Sequence, residues 1–385
     1  MTLLNLVAFV AFATTLATRA TDPVVLQIAG TFDVTPATAA LLASAFALPY
    51  AAVQPVLGAL ADMFSKTRLM TICLSLLVLS SVAAVVAVNF PMLMAARALA
   101  GIAAGGIFPI ALALVGDRVP VETRQVAIGR LLAAAMMGNL LGASGAGALG
   151  DLFGWRAVFV ANAAIGAFVF ALAMPGFRRI DDAAPGRFDL STIGPNYRAI
   201  FGNPQAKYCF GIVFVEAMTV FGLFPYVATL LAGDGEGRAT IAGIVIAGFG
   251  IGAILYTVTV PSLLRYVAGH RLTLAGGLMM GLSFLITALR LPWPYEFANF
   301  LLLGFGMYFL HGYIQVIVTE LAPAARGSAL AVHSAAFFFG QAAGPLVYGW
   351  SFAAVGVAPT LLTVAAVLAL AGVVAVVTLR RTAGS

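Results

Sequence analysis

Four ionisable side chains stand in stretches that are otherwise apolar, and each is of a type that can carry a proton or hold a charge. Asp22 follows Arg19 by three residues and precedes Pro23. Glu216 is surrounded by Val213, Phe214, Val215, Ala217 and Met218. Arg97 is followed, at spacings of four, by Gly101 and Gly105. His311 is followed four residues on by Gln315, so a helix puts both on one face. A carboxylate away from water can load a proton from one side and release it to the other, or it can balance a cationic ligand. A histidine titrates near neutral pH. Asp22, Glu216, His311 and Arg97 are therefore the candidate proton-coupling residues. Each also has a structural reading. Asp22 and Arg19 can form a local pair that fixes a helix end. Glu216 can be a protonated acid hydrogen-bonded between helices. His311, which in its functional role can pair with Glu216, can instead be a neutral imidazole bridging helices. Arg97 can anchor its helix to carbonyl groups. His333 reads as structural.

A second set could contact a ligand. Arg19 can hold an anionic group, and Tyr50, Gln54, Asn139, Gln315 and Gln341 can supply neutral hydrogen bonds. Phe221, Tyr226 and Phe338 can line an apolar cavity. The competing reading is ordinary helix packing or contact with lipid.

The elements that must position these residues follow from composition. The 385-residue chain is 62% hydrophobic and only 9% charged, with a mean hydropathy of +1.05. Soluble domains carry about 25% charged residues, so the chain is predicted to be a polytopic membrane protein. Apolar runs fall at 4–30, 36–61, 68–88, 91–115, 126–149, 155–174, 207–232, 240–263, 272–291, 296–320, 328–350 and 355–379. Each is long enough to cross the hydrocarbon as a helix, which takes ~20 residues. Period-2 alternation is absent, which disfavours a membrane β-barrel. Cys73 and Cys209 lie in apolar runs without CxxC spacing, so neither a disulfide framework nor a zinc site is expected. The first run reads as a retained helix and not as a cleaved leader. There is no phosphate-binding loop, so no nucleotide or other cofactor is expected.

The halves repeat. Asp117, Pro120, Arg124 and Ala127 read against Glu320, Pro323, Arg326 and Ala329. Gly138, Gly142 and Gly147 read against Gly340, Gly344 and Gly349, and Arg68 against Arg271, all at offsets of 202 or 203. The expected organisation is an N-terminal six-helix bundle at 1–175, a cytoplasmic linker at 176–206 rich in Pro, Gly, Arg and Asp, and a C-terminal six-helix bundle at 207–385. Lys and Arg set the orientation. With the N-terminus inside, inner loops hold 15 of them and outer loops 3, which places both termini in the cytoplasm. The net charge of +6 has the same origin and does not imply nucleic-acid binding.

Several motifs carry a family resemblance. Gly58-Ala59-Leu60-Ala61-Asp62-Met63-Phe64-Ser65-Lys66-Thr67-Arg68 resembles the G-x-L-A-D-x-x-G-R-K/R-x-R signature of the major facilitator superfamily, with Ser65 at the usual glycine. Arg97, Gly101 and Gly105 resemble that family's helix-4 arginine motif, with Ala100 at the usual glutamine. Gly154-Trp155-Arg156 with Phe159 is similar to its helix 5–6 turn. Gly138, Gly142 and Gly147 resemble the glycine-rich motif of drug/proton antiporters, with Ala143 at the usual proline; the repeat copy, Gly344-Pro345, keeps it. The resemblance implies an all-α fold of twelve transmembrane helices in two pseudo-symmetric bundles. It implies gating elements at Gly58, Asp62, Lys66, Arg68, Arg124, Gly138, Gly142, Gly344 and Pro345. It also places Asp22 near an acidic residue of multidrug antiporters, and links Arg97 to proton coupling or to substrate anions.

The expected function is alternating-access transport of a small-molecule substrate, as proton-coupled efflux of a small amphipathic or cationic compound. Proton symport or facilitated uptake of a sugar or organic anion is the alternative. A membrane enzyme would need clustered catalytic groups, and none is present. The resemblance places the chain, as a monomer, in a bacterial inner membrane.

Overall fold

Proline and glycine punctuate the chain at equivalent places in both halves. The computed structural model describes residues 3–178 and 190–379, without the side chains at 55, 58–63, 121–122, 125, 190–193 and 324. Among them the regular elements are helical: α1 (Leu3–Thr18), α2 (Val25–Phe32), α3 (Pro36–Met63), α4 (Lys66–Val85), α5 (Phe90–Arg118), α6 (Val121–Phe153), α7 (Trp155–Arg178), α8 (Leu190–Gly202), α9 (Ala206–Leu223), α10 (Val227–Gly233), α11 (Ala239–Tyr266), α12 (Gly269–Ala288), α13 (Trp293–Leu321), α14 (Arg326–Val355) and α15 (Val357–Thr378). Eleven spans in this set are long and apolar enough to cross a membrane, and α1 is a shorter apolar helix. Large apolar side chains such as Leu79 and Leu370 are about 60% exposed on the outside of these helices, as a lipid-facing surface requires.

The first apolar run was expected to be one helix over 4–30, but it is two. Between α1 and α2, residues 19–24 form turns around Pro23. Proline has no amide hydrogen to donate and disfavours a helical residue before it. Pro225, 202 residues further on, interrupts the seventh run in the same way, with a 3-10 turn over Phe224–Tyr226 between α9 and α10. Gly154 ends α6 with φ 81° and Gly356 ends α14 with φ 88°, again 202 apart. A side chain is strained at such angles, so glycine is required at both turns. Ser65 and Asn89 cap α4 and α5, accepting from the amides of Arg68 (3.2 Å) and Met92 (2.8 Å).

The chain divides into two compact units. One lies within Met1–Phe188 and takes in Gly237–Gly243; the other holds Asp189–Glu236 and Ile244–Ser385. The stretch 176–206 contains the end of α7 and all of α8, and α8 packs on α14. In the first unit α1 packs on α6, α3 on α5, and α4 on both α5 and α7. In the second α9 packs on α14, and α12 on both α13 and α15.

Glycine makes the tightest of these contacts, and here the repeat becomes physical. Gly138 and Gly142 of α6 lie against the backbone of Phe12 and Leu16 in α1; Gly340 and Gly344 of α14 lie against Phe214 and Met218 in α9. Gly101 of α5 lies against the Phe46 backbone in α3, and Gly304 of α13 against the Phe249 backbone in α11. Both members of every pair shift by 202 or 203. Lipid gives helices little hydrophobic reason to associate, so close backbone approach through small residues supplies much of the attraction.

A Cβ on Gly344 would lie 2.5 Å from the Met218 carbonyl oxygen, whereas one on Gly145 meets nothing within 4 Å. Gly344→Val should therefore cost about 1–3 kcal/mol and lower the thermal-unfolding midpoint in detergent by several degrees. Gly145→Ala should leave the midpoint unchanged. Equal midpoints for both variants would show that the α9–α14 contact is not tight.

Candidate functional site

In the first unit, the break at Pro23 leaves carbonyls at the end of α1 without helical donors. Arg97 of α5 supplies them. Its Nη1 donates to the Ala17 carbonyl (2.9 Å), Nη2 to the Thr18 carbonyl (3.3 Å) and Nε to the Leu42 carbonyl of α3 (3.5 Å). Its guanidinium carbon sits 4.5 Å from the centre of the Phe46 ring, a cation–π contact. One side chain, 1% exposed, thus ties α1, α3 and α5 together. Asp22 is equally buried and lies 3.5 Å from Arg19, three residues before it. Arg97 also acts on Asp22 electrostatically. The cluster holds two cations and one carboxylate.

In the second unit, Glu216 of α9 is 0% exposed. Its Oε2 lies 3.0 Å from Nδ1 of His311 in α13, while its Oε1 is a buried acceptor without a hydrogen bond. The His311 ring lies 4.9 Å from that of His333 in α14 and 5.1 Å from that of Phe337. His333 is 3% exposed, and its Nε2 has no hydrogen-bond partner.

The two charged clusters are not repeat copies of each other. At the repeat positions of Arg19, Asp22, Phe46 and Arg97 stand Phe221, Phe224, Phe249 and Phe300. These four rings pack into one aromatic cluster, with centroids 5.1–5.8 Å apart in the pairs Phe221–Phe224, Phe221–Phe249, Phe224–Phe249 and Phe224–Phe300. Conversely, Thr14, Phe108 and Leu131 stand where the second half has Glu216, His311 and His333. Thr14 satisfies itself on the Val10 carbonyl of its own helix (2.7 Å). Each half has charge where the other has an apolar or self-satisfied side chain.

The neutral candidates fall into different settings. Tyr50 is buried and hydrogen-bonded to Gln54. The Tyr226 hydroxyl donates to the Pro345 carbonyl (2.8 Å), which ties the 3-10 turn between α9 and α10 to α14. Gln341 is 7% exposed, and Phe338 stacks edge-on with Phe337 at 5.4 Å. Phe221 also meets Phe337 at 5.3 Å. Asn139 donates to the Ala135 carbonyl of its own helix, and Gln315 is exposed, one turn from the buried His311–Glu216 pair.

Among the residues expected to gate, Lys66 pairs with Asp117 (2.9 Å) and so joins α4 to the end of α5. Arg68 is exposed, with its amide on the Ser65 cap. Arg124 donates to the carbonyls of Gly116 (2.7 Å) and Val119 (3.3 Å) across the α5–α6 turn. Gly138, Gly142 and Gly344 make the backbone contacts described above. Gly58 and the Asp62 side chain lie outside the described residues.

One further buried polar cluster lies in the second unit. Glu296, in the first turn of α13, is 6% exposed and is held by Thr287 and Asn299. Its place beside Pro292, Trp293 and Pro294 reads as a span end at the interface. The only sequence signal was Asn299 three residues on.

The family model described as Major Facilitator Superfamily matches residues 7–295. An uncharacterised MFS-type transporter, YwfA of Bacillus subtilis (strain 168), is 25% identical over 357 residues, covering 89% of this chain and 85% of that protein. The multidrug resistance protein Stp of Mycobacterium tuberculosis (strain CDC 1551 / Oshkosh) is 32% identical over 154 residues, 38% of this chain and 29% of that one. Among solved structures, a D-xylose-proton symporter superimposes with a TM-score of 0.78 at 15% identity, covering 99% of this chain and 98% of that one, a likeness of fold alone. With its membrane-spanning helices and repeated halves, the chain belongs to the major facilitator superfamily and is a multi-pass membrane transporter.

Proposed function

We propose that the protein exports a small amphipathic or cationic compound in exchange for protons, by alternating access. On this reading it is a monomer of the bacterial inner membrane with both termini in the cytoplasm. The observation that carries the reading is Glu216: fully buried, held on one oxygen by His311, and without a hydrogen bond on the other. An isolated charge in hydrocarbon is too costly to persist, so such a carboxyl needs a proton or a cation at each stage. One carboxyl that accepts either a proton or a cationic substrate, but not both, makes the two compete. That competition is the elementary requirement for exchange. The apolar face of the substrate would meet Phe337, which adjoins His311, and Phe221 and Phe338, which pack on Phe337. The similarity to a protein named for multidrug resistance supports the outward direction.

The Asp22 cluster would sense the same cycle differently. With Asp22 ionised, Arg97 is balanced while it clamps the end of α1. A proton on Asp22 removes that balance beside the Pro23 break, where the chain has least helical restraint. Lys66, Arg68, Arg124 and the glycine contacts would gate, and Asp62 would act with them. The excess of cations in the Arg19–Asp22–Arg97 cluster also favours the alternative reading, symport or facilitated uptake of a sugar or organic anion, with the anion drawn to Arg19 and Arg97.

Inside-out vesicles given an acid interior, with ethidium as the cationic amphipathic probe, test the first reading. Wild-type protein should accumulate ethidium inside, and Glu216→Gln should lose at least ~10-fold of that rate, on the scale of a charge-dependent step. Glu216→Gln running at the wild-type rate, still driven by the gradient, would remove Glu216 from coupling.

Arg97→Lys tests the clamp. Lysine keeps the charge but cannot fork to several carbonyls. The unfolding midpoint should drop by several degrees, and transport should fall with it. A variant matching wild type in both would show that the carbonyls of Ala17, Thr18 and Leu42 do not need Arg97.

A further inference from the structure

A crevice of about 800 Å³ lies in the second unit, where α11, α12, α13 and α15 meet. Its size is that of sites that enclose a small amphipathic molecule, ~300–1,000 Å³. Val260, Leu264 and Val316 are among its apolar walls, and Tyr256, His270 and Tyr313 are its polar members. Leu264, His270 and Val316 are exposed, so the crevice is open to its surroundings. The neighbouring surface of α11 carries the exposed side chains Val258 and Tyr266, as a lipid-facing helix does. An apolar crevice left empty in hydrocarbon forfeits dispersion contacts along its whole lining, so a chain of lipid carbon is its natural filling.

The repeat shows why the crevice is here and not in the first unit. There, Lys66 bridges the start of α4 to Asp117 at the end of α5 (2.9 Å). Gly269, in the lining, stands at the repeat position of Lys66 and cannot form such a strut. A Cβ on Gly312 would lie 2.5 Å from the Tyr256 hydroxyl, so glycine is what gives that ring room beside α13. Across from it the Tyr313 hydroxyl donates to the Leu379 carbonyl (3.0 Å) and ties α13 to the end of α15.

Charge at the opening selects the occupant. Arg265 follows Leu264 directly, and Arg271 stands between the lining residues His270 and Leu272; both arginines are exposed. α12 begins at Gly269 without a side chain capping its first amides, which adds partial positive charge at the same end. Neither α11 nor α12 contains an acidic residue, and Glu320 near the end of α13 is one negative charge against two arginines. Such an opening attracts an anion and repels the cationic compound proposed as substrate. That distinction matters, because the wall of the crevice reaches toward the Glu216 pair: Tyr256 lies 5.7 Å from Tyr308, and Tyr308 lies 6.3 Å from His311.

We propose that this crevice binds an anionic phospholipid, with an acyl chain among Val260, Leu264 and Val316 and the phosphate at Arg265, Arg271 and the start of α12. Basic clefts between membrane helices suit such headgroups. On the proposed orientation the lipid belongs to the cytoplasmic leaflet, but its binding does not depend on the direction or coupling of transport.

Purified full-length protein, freed of lipid in dodecyl maltoside, is titrated with palmitoyl-oleoyl phosphatidylglycerol and separately with phosphatidylcholine of the same chains. Bound lipid is counted by native mass spectrometry, and the unfolding midpoint without lipid confirms that each variant is folded. Wild type should bind one phosphatidylglycerol at least ~10-fold more tightly than phosphatidylcholine, as two arginines near an anionic headgroup predict. Val316→Trp and Leu264→Trp, which fill the crevice from exposed positions, should each abolish that tight binding. Arg265→Gln with Arg271→Gln should lower it to the phosphatidylcholine level, whereas Arg198→Gln, at an exposed arginine of α8, should leave it unchanged. Equal affinity for the two lipids overturns the proposal, as does tight binding that survives both tryptophan variants. An equal loss in Arg198→Gln shows general charge attraction and overturns it too. Displacement of phosphatidylglycerol by ethidium would assign the crevice to the substrate, and binding seen only after removal of residues 380–385 would assign it to that segment; either result contradicts a lipid site.

Discussion

Close approach of helix backbones at glycine is the contact on which the rest of this molecule depends. Water-soluble helices are pushed together by the exclusion of apolar surface from water, but lipid provides no such push. Here the helices meet where a glycine of one lies on a carbonyl of the next: Gly138 on Phe12, Gly340 on Phe214, Gly101 on Phe46 and Gly304 on Phe249. The Gly101 contact sets the α3–α5 spacing at which Arg97 reaches the Leu42 carbonyl, and the Gly340 contact holds against α9 the helix α14, whose His333 and Phe337 flank His311. A wider α3–α5 spacing would leave Arg97 short of the Leu42 carbonyl.

The same scaffold is used twice, yet its chemistry is not. Breaks at Pro23 and Pro225, helix ends at Gly154 and Gly356, and the glycine contacts all recur at one offset. The charged side chains do not. Where the first half places Arg19, Asp22 and Arg97, the second packs Phe221, Phe224 and Phe300. Where the second half places Glu216 and His311, the first has Thr14 and Phe108. A bilayer makes each buried charge expensive, and at the Arg97 and Glu216 clusters the repeat-related positions in the other half are apolar or self-satisfied, so neither cost is incurred twice. In the proposed cycle this lets the halves share a motion while only the second offers a carboxyl to the cationic substrate.

Much of this was legible in the residues. The hydrophobic runs gave the spans, because the bilayer demands length and apolarity in one uninterrupted stretch. The repeat was visible in Gly138, Gly142, Gly340 and Gly344, because packing contacts constrain residue size at fixed spacing. Isolated charges such as Glu216 stand out for the same energetic reason. Pairings were harder to read. His311 and His333 are on separate helices, and their 4.9 Å ring contact depends on how α13 and α14 meet. That Asn139 donates to the Ala135 carbonyl of its own helix is likewise invisible in the residue type. Glu296 is hard to read because a carboxylate beside Trp293 at a span end looks solvated, and only packing of α12 against α13 buries it. Hydropathy does not show the break inside the first run, although Pro23 marks it.

The most direct test of exchange is the sign of proton movement. Wild-type protein in liposomes, with no imposed pH gradient and a pH dye in the lumen, is given an inward ethidium gradient. If ethidium and protons compete for one carboxyl, ethidium entering the lumen should drive protons out, and the lumen should turn alkaline only while ethidium moves. A lumen that acidifies, or one that holds its pH while ethidium flows through the protein, would contradict exchange at Glu216.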